Sequence, residues 1–385
     1  MKLAFITHNY PISENERSNA GIFVADLVKE LVRKRHSVIV LVVNATINKK
    51  VVSNNGRLTV YFIGKGSMKK SLGHIKPYNP KDLYGVFKLF KESNEEIIRI
   101  VKKNPVDFCI ACWAIPSGIL ALWLYDALRI PYAIWALGSD VYVYAKYPVF
   151  GKKIKRALKH ATLLLADGID MAKRVEQVSG KVCHFLPSAT KFAHKEEKGT
   201  TTASKKQHYV FLGRMEKVKG PDVLLEAIKN IPSRKTFQVD FLGGGKMFTL
   251  LRNKAKAYGL EACTTFHDTV HDQQKIYHYL RNAAYLIIPS RSDSIPLVLS
   301  ESAKSNTPVI AAQVGDMGQL VKKYKIGYTF PSEDVEKLTA IIEKTIKMGK
   351  IDKRRLGGNL KKFAQKFEVS STATELIEYI KKENK

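Results

Sequence analysis

KLAFITHNYPISENERSNAGIFVADLVKELVRKRHSVIVLVVN, residues 2–44, decides the architecture of the chain. KLAFITH (2–8) is a short apolar run that ends on polar residues, as a buried strand does. AGIFVADLVKELVRKR (20–35) places Ile22, Phe23, Leu27, Val28 and Leu31 at helical spacing. HSVIVLVVN (36–44) is again strand-like. Strand, helix, strand in this order predicts a parallel pair joined by a right-handed crossover.

The same alternation continues outward. VDFCIAC (106–112), PYAIWAL (131–137), ATLLLAD (161–167) and KVCHFLP (181–187) are further strands. Residues 190–208, TKFAHKEEKGTTTASKKQH, then turn polar and linker-like. The pattern restarts with strands at YVFLGR (209–214), FQVDFLGGG (237–245), TTFHD (264–268), AYLIIPS (284–290) and PVIAA (308–312). Helices fall between them at 221–231 and near 246–258, 272–281 and 296–305. The expected class is α/β with two domains, 1–190 and 208–369, joined by a linker at 191–207. A last helix, around TATELIEYIKK (372–382), is expected to pack back on the first domain, so that 370–385 belongs with it.

Charge and cysteines narrow the function classes. The chain has 385 residues, with 64 Lys+Arg against 35 Asp+Glu, a net of +29. Such an excess attracts anions and says nothing of fold. Nucleic acid is not expected as a partner, because no recognition motif or aromatic-rich basic sheet accompanies the charge. Of the four cysteines, Cys109 and Cys112 form a CxxC, but without a second pair or histidines to complete a metal set. No disulfide framework is expected, which fits a reducing cytosol. The most apolar stretch, ILALWLYDALRIPYAIWALG, is broken by Asp126, Arg129 and Pro131, short of the ~18 residues a membrane span needs. The N-terminus has no long apolar region or cleavage site of a secretory leader, so a cytoplasmic chain is expected.

Two segments carry candidate chemistry. In FLGRMEKVKGPDVLLEAI a strand ends at Gly213, Arg214 and Lys219 follow, and Pro221 stands where a helix begins. Two cations between a strand end and a helix start suit a diphosphate, although both could be solvated surface charges. PSRSDSIPLVLSESAKSNTPVI (289–310) places Asp293 in a loop after a strand and Glu301 inside the following helix. Ligands collect at such strand ends in doubly wound sheets, and helix N-termini there favour anions. A nucleotide diphosphate sugar would fit, with ribose at Glu301, diphosphate near Arg214 and Lys219, and sugar near Asp293. The alternative for each acid is ordinary: Glu301 on the surface, Asp293 capping the helix.

Taken together these segments resemble the glycosyltransferases of family 4, which have the GT-B fold. Asp293 and Glu301, with seven residues between them, resemble the EX7E signature, with PS before and TPVIA after. Arg214 and Lys219 resemble the diphosphate motif, THNYPISENERSNAGIF (7–23) the N-terminal glycine loop, and WALGSDVYVY (135–144) the segment after the central strand. The resemblance implies two Rossmann-like domains facing across a cleft and metal-free transfer with retention from a UDP- or GDP-linked sugar, with no further cofactor. It assigns Arg214, Lys219 and Asp293 to catalysis. It assigns Gly21, Gly213, Val270, Ser294, Ile295, Leu297 and Glu301 to donor binding. His8, Asn19 and Asp140 are acceptor-side candidates, and the segment FHDTVHD (266–272) is the expected base reader. The sequence departs from the pattern in having Asp rather than Glu at 293 and Leu137 where many relatives carry His. The runner-up reading is therefore a member of the fold that binds nucleotide sugar without transfer.

The acceptor implied is a glycan or lipid-linked hydroxyl. AKYPVFGKKIKRALKHATLLLA (145–166) has six Lys or Arg by residue 159 and no acid, with Tyr147, Phe150, Ile154 and Leu158 interleaved. KGSMKKSLGHIKP (65–77) adds more cations. Such tracts seek anionic membrane surfaces, at about 1 kcal/mol per cation, which suits peripheral attachment to the inner face of the cell membrane.

Overall fold

A computed structural model describes residues 1–11, 21–43, 49–53, 56–63, 80–142, 148–192, 206–232, 234–348 and 351–383. Its chain divides into two compact units, residues 1–190 with 369–385, and residues 191–368. Most of the 191–207 linker, Asn19 and the 65–77 tract lie outside the described residues.

The first unit is built on an eight-stranded sheet of order β3-β4-β2-β1-β5-β6-β7-β8. Its strands are β1 (Lys2–Thr7), β2 (Ser37–Val43), β3 (Lys49–Ser53), β4 (Leu58–Ile63), β5 (Phe108–Cys112), β6 (Tyr132–Ala136), β7 (Leu163–Ala166) and β8 (His184–Phe185). All pairings are parallel except β3 with β4. The strand expected over 181–187 contracts to its two central residues. The β3–β4 edge was not foreseen, because LTVYFI follows a polar stretch with no helix signal between.

Helices cover both faces, as parallel sheets require. α1 (Ile22–Arg33) and the last helix, α14 (Val369–Glu383), lie on one face, where Leu27, Leu31, Leu376 and Ile380 share a core with Phe5 and Trp135. The Lys34 ammonium donates to Thr374 Oγ1 at 3.0 Å, and His184 stacks on Tyr379. α2 (Pro80–Lys103), α3 (Ile119–Leu128), α4 (Ser139–Tyr142), α5 (Pro148–His160) and α6 (Ile169–Ser179) follow in chain order. Ile97 of α2, Leu120 of α3, Leu158 of α5 and Met171 of α6 pack on the opposite face. Cys109 belongs to that second face and Cys112 to the first, since an odd spacing along a strand reverses direction. Both thiols are free, and burial raises both. They cannot converge on one metal ion.

The second unit holds a parallel six-stranded sheet of order β11-β10-β9-β12-β13-β14. The strands are β9 (Gln207–Leu212), β10 (Phe237–Leu242), β11 (Thr264–His267), β12 (Tyr285–Ile288), β13 (Val309–Ala312) and β14 (Gly327–Phe330). The connecting helices are α7 (Pro221–Lys229), α8 (Phe248–Ala257), α9 (Gln273–Asn282), α10 (Leu297–Lys304) and α11 (Met317–Tyr324). α12 (Val335–Met348) and α13 (Ile351–Lys366) complete it. Tyr285 and Tyr328 donate to the buried Asp352 carboxylate at 2.5 and 2.8 Å, tying α13 to the sheet.

Candidate active site

Strand order locates the site in the second unit. β10 and β11 lie to one side of β9, and β12, β13 and β14 to the other. The chain thus leaves the neighbours β9 and β12 in opposite directions, which is where ligands bind in open α/β sheets. The two loops at this point, 213–220 and 289–296, are the two that carry Arg214, Lys219 and Asp293.

Lys219 and Asp293 meet. The ammonium donates to both carboxylate oxygens, at 2.6 and 2.9 Å. Both side chains are partly screened from water, 23% and 15% exposed, so the pair lies at the rim of the protein interior. Lys219 ends a 3-10 turn, Lys217–Lys219, and Gly220 follows in the left-handed region at φ 66°. A Cβ on Gly220 would sit 2.0 Å from the Pro289 carbonyl oxygen. Only glycine lets the two loops approach so closely. Pro221 then starts α7, where its missing N–H costs nothing.

α10 begins at Leu297 behind Pro296, and no described side chain caps it. Asp293 therefore does not act as a cap; Lys219 holds it instead. The first backbone N–H groups of such a helix are open to an anion. Beside them the Ser294 hydroxyl is buried with no partner among the described residues. A bound ligand would satisfy it, as buried polar groups require. Asp293, Ser294, Ile295 and Leu297 are all half-buried along this rim.

Glu301 lies in the second turn of α10, half-buried. Burial pushes its carboxyl up to about 7, with the nearby Lys304 cation working against the rise. Arg214 has a partner close by in sequence. Its guanidinium pairs at 2.8 Å with Glu216, two residues along, and its side chain is 67% exposed. Gly213 follows β9, its N–H bonded to the Leu242 carbonyl. Val270 is half-buried in the loop after β11, between Thr269, which accepts from the Gly244 N–H at 3.2 Å, and Asp272, which caps α9. Parallel pairing puts this loop at the same end of the sheet as the others.

The first unit has its own switch point, between β1 and β5. His8 follows β1 and Trp113 follows β5, and their rings lie 4.5 Å apart. Burial lowers the His8 imidazole to about 4, and its Nδ1 is buried without a partner among the described residues. It is a neutral ring able to hydrogen-bond a ligand. Trp113 has φ 71°, an uncommon conformation for a bulky residue that costs roughly 1–3 kcal/mol.

Asp140 is fully buried and accepts from the backbone N–H groups of Ala114, at 2.7 Å, and Gly138, at 3.0 Å. Burial raises its carboxyl against these bonds. It thereby ties the chain after β5 to the chain after β6. Gly21, expected to approach phosphate and sugar, has a nearer neighbour: a Cβ there would lie 2.1 Å from the Asn9 carbonyl oxygen.

These arrangements can be set beside known proteins. The family described as glycosyl transferases group 1 matches residues 193–363, which span nearly all of the second unit. A Bacillus subtilis glycosyltransferase named for teichuronic acid biosynthesis is 26% identical over 353 residues, covering 84% of either chain. The second unit matches the group 1 glycosyltransferases over nearly its whole length. Among solved structures, sucrose-phosphate synthase from Thermosynechococcus elongatus superposes with a TM-score of 0.76 at 18% identity, covering 99% of this chain and 98% of that one. HepE of Anabaena, in complex with UDP, gives 0.74 at 13% identity, covering 99% and 100%. The fold of the chain is thus GT-B.

Arg291 is a further residue that the sequence does not single out. It forks onto both oxygens of Asp222, at 2.8 Å each, and reaches Glu333 at 2.7 Å. Burial opposes the charge on Asp222, yet the bonds and charge of Arg291 hold that carboxyl below the usual range. Nothing local could have revealed the contact, since Asp222 is 69 residues away. Trp113 gave no signal either, because its backbone angle is not written in its neighbours.

Proposed function

We propose that this chain is a glycosyltransferase that works with retention on a UDP- or GDP-linked sugar and passes the sugar to a hydroxyl of a glycan or lipid-linked acceptor. The meeting of Lys219 and Asp293 at the β9/β12 switch point, beside the uncapped start of α10, carries this reading. HepE, solved with UDP, supports a nucleoside diphosphate as the leaving group. The teichuronic acid glycosyltransferase supports a surface polysaccharide as the product.

In this reading the diphosphate lies at the N–H groups opening α10, with Lys219 and Arg214 offsetting its charge as the bond to the sugar breaks. Lys219 has three donors, so it can keep Asp293 while turning one N–H to phosphate. Asp293 accepts from sugar hydroxyls, and Glu301 accepts from both ribose hydroxyls. Gly213, Ser294, Ile295 and Leu297 line the donor, and Val270 lies with the base. The acceptor oxygen attacks the anomeric carbon from the face the diphosphate leaves, and its proton passes to the departing phosphate oxygen. His8 contacts the acceptor, and Asp140 supports that side by fixing the Ala114 and Gly138 backbone.

The test is release of nucleoside diphosphate from a panel of UDP- and GDP-linked sugars, with and without polyprenyl-phosphate-linked glycans. Turnover of one donor well above its spontaneous hydrolysis is the expected result. Tight calorimetric binding with no release across the panel would favour the non-catalytic binder and overturn the proposal.

A peripheral position on the inner face of the cell membrane belongs to the same reading. Among the described residues no helix is long and apolar enough to cross a membrane. Lys152, Lys153, Lys155, Arg156 and Lys159 are exposed on α5, and Tyr84 and Phe87 are 70% and 60% exposed on α2 beside Lys88 and Lys91. Both helices start at the strand ends where His8 and Trp113 lie, since each crosses back between parallel strands. Flotation with vesicles containing 30 mol% phosphatidylglycerol should carry the protein upward, and neutral phosphatidylcholine vesicles should not. Equal flotation with both would remove the charge argument.

A further inference from the structure

Lys219 and Asp293 come from loops 74 residues apart in sequence, so something must hold those loops in register. The turn that carries Lys219 has no side-chain cap and is followed by a left-handed glycine. The loop that carries Asp293 is likewise without a cap from its own helix. Neither segment fixes its own course.

One residue spans both. The backbone N–H of Arg291 donates to the Val218 carbonyl at 2.8 Å. Its guanidinium Nη1 donates to the Lys217 carbonyl at 2.6 Å. Nη1 and Nη2 also bind the two oxygens of Asp222, in the first turn of α7, at 2.8 Å each. Nε binds Glu333 at 2.7 Å, and the side chain is only 19% exposed. Arg291 therefore grips the residues on both sides of Lys219, while lying two positions before Asp293.

We infer that Arg291 is a positioning residue for donor binding, clasping the Lys217–Asp222 segment to the Asp293 loop so that the Lys219 ammonium faces the diphosphate. The fork geometry is the point. A guanidinium can hold a carboxylate with two parallel bonds and a carbonyl with another N–H, whereas an ammonium is a point donor. Arg291 also offsets part of the charge of Asp222 and Glu333, two acids whose field disfavours an anionic ligand.

The inference rests on the donor-site reading of Lys219, and a double-mutant cycle separates the two. UDP and GDP are titrated calorimetrically, and the tighter of them serves as probe. Arg291→Lys keeps the charge and loses the fork, so it should weaken the probe about tenfold. Asp222→Asn, which removes the carboxylate from the other end, should do the same. Thermal melting of each variant reports folding separately. In a Lys219→Ala background, Arg291→Lys should change the dissociation constant by less than about twofold, because the group it positions is gone. A purely structural role predicts instead that the two losses multiply, and that result overturns the inference. So does wild-type affinity in Arg291→Lys. Were Lys219→Ala itself silent, the donor-site reading would fail and this inference with it.

Discussion

Lys219→Ala should lower kcat/KM for the nucleotide sugar by about a hundred- to thousandfold, the usual cost of losing one fixed donor to developing charge. Two effects add. The leaving diphosphate loses a cation at the moment its charge grows. Asp293, only 15% exposed and now without its 2.6 Å partner, keeps a negative charge beside the same phosphates. Lys219→Ala combined with Asp293→Asn should therefore bind nucleoside diphosphate more tightly than Lys219→Ala alone, although both remain slow. Steady-state kinetics and calorimetry on the three proteins settle it. A single variant within threefold of wild type would take Lys219 out of the mechanism. Arg214→Ala should cost less, since its side chain rests on Glu216 in solvent.

Glu301→Gln should change stability and binding in opposite directions. The carboxyl stands at about 7 in the folded chain, raised by burial from an ordinary 4.5. Between those values the folded state holds a proton that the unfolded chain has released. Stability therefore falls as pH climbs through that window, by at most about 3 kcal/mol, and the loss is complete above it. Glutamine removes the penalty, so the variant should melt above wild type at pH 8 and level with it at pH 5. Donor binding goes the other way. Two ribose hydroxyls donating to a carboxylate favour the ionised form, and each charged bond contributes roughly 1.5–3 kcal/mol. The variant should bind nucleoside diphosphate tenfold to a hundredfold more weakly at pH 8. Wild-type affinity should rise with pH through about 7. Affinity that stays flat from pH 5.5 to 8.5, or a variant that binds normally, would place the ribose elsewhere.

Period and order made the two sheets legible. Runs such as LLLA and FCIAC are buried on both faces, so they stand out from the amphipathic helices around them. The site was legible only as positions at strand ends. The Lys219–Asp293 contact depends on how close two loops come, and Gly220 is the single residue that hints at it. Arg214 pairs with Glu216, a partner that the spacing of a motif does not show. The close approach of Gly21 to Asn9 is likewise not written in the sequence. A glycine beside a ligand and a glycine beside its own chain look alike in one dimension. Arg291 stayed hidden among many basic residues because its distinction lies in its partners.

The return of α14 to α1 also bears on how the protein is made. Leu376, Ile377 and Ile380 complete a hydrophobic layer begun by β1 and α1, more than 330 residues earlier in the chain. That layer stays open until α14 has been synthesised, whereas residues 191–368, a contiguous stretch, are made before it. The nascent chain can thus finish its later half first, reversing the usual N-to-C order of cotranslational folding.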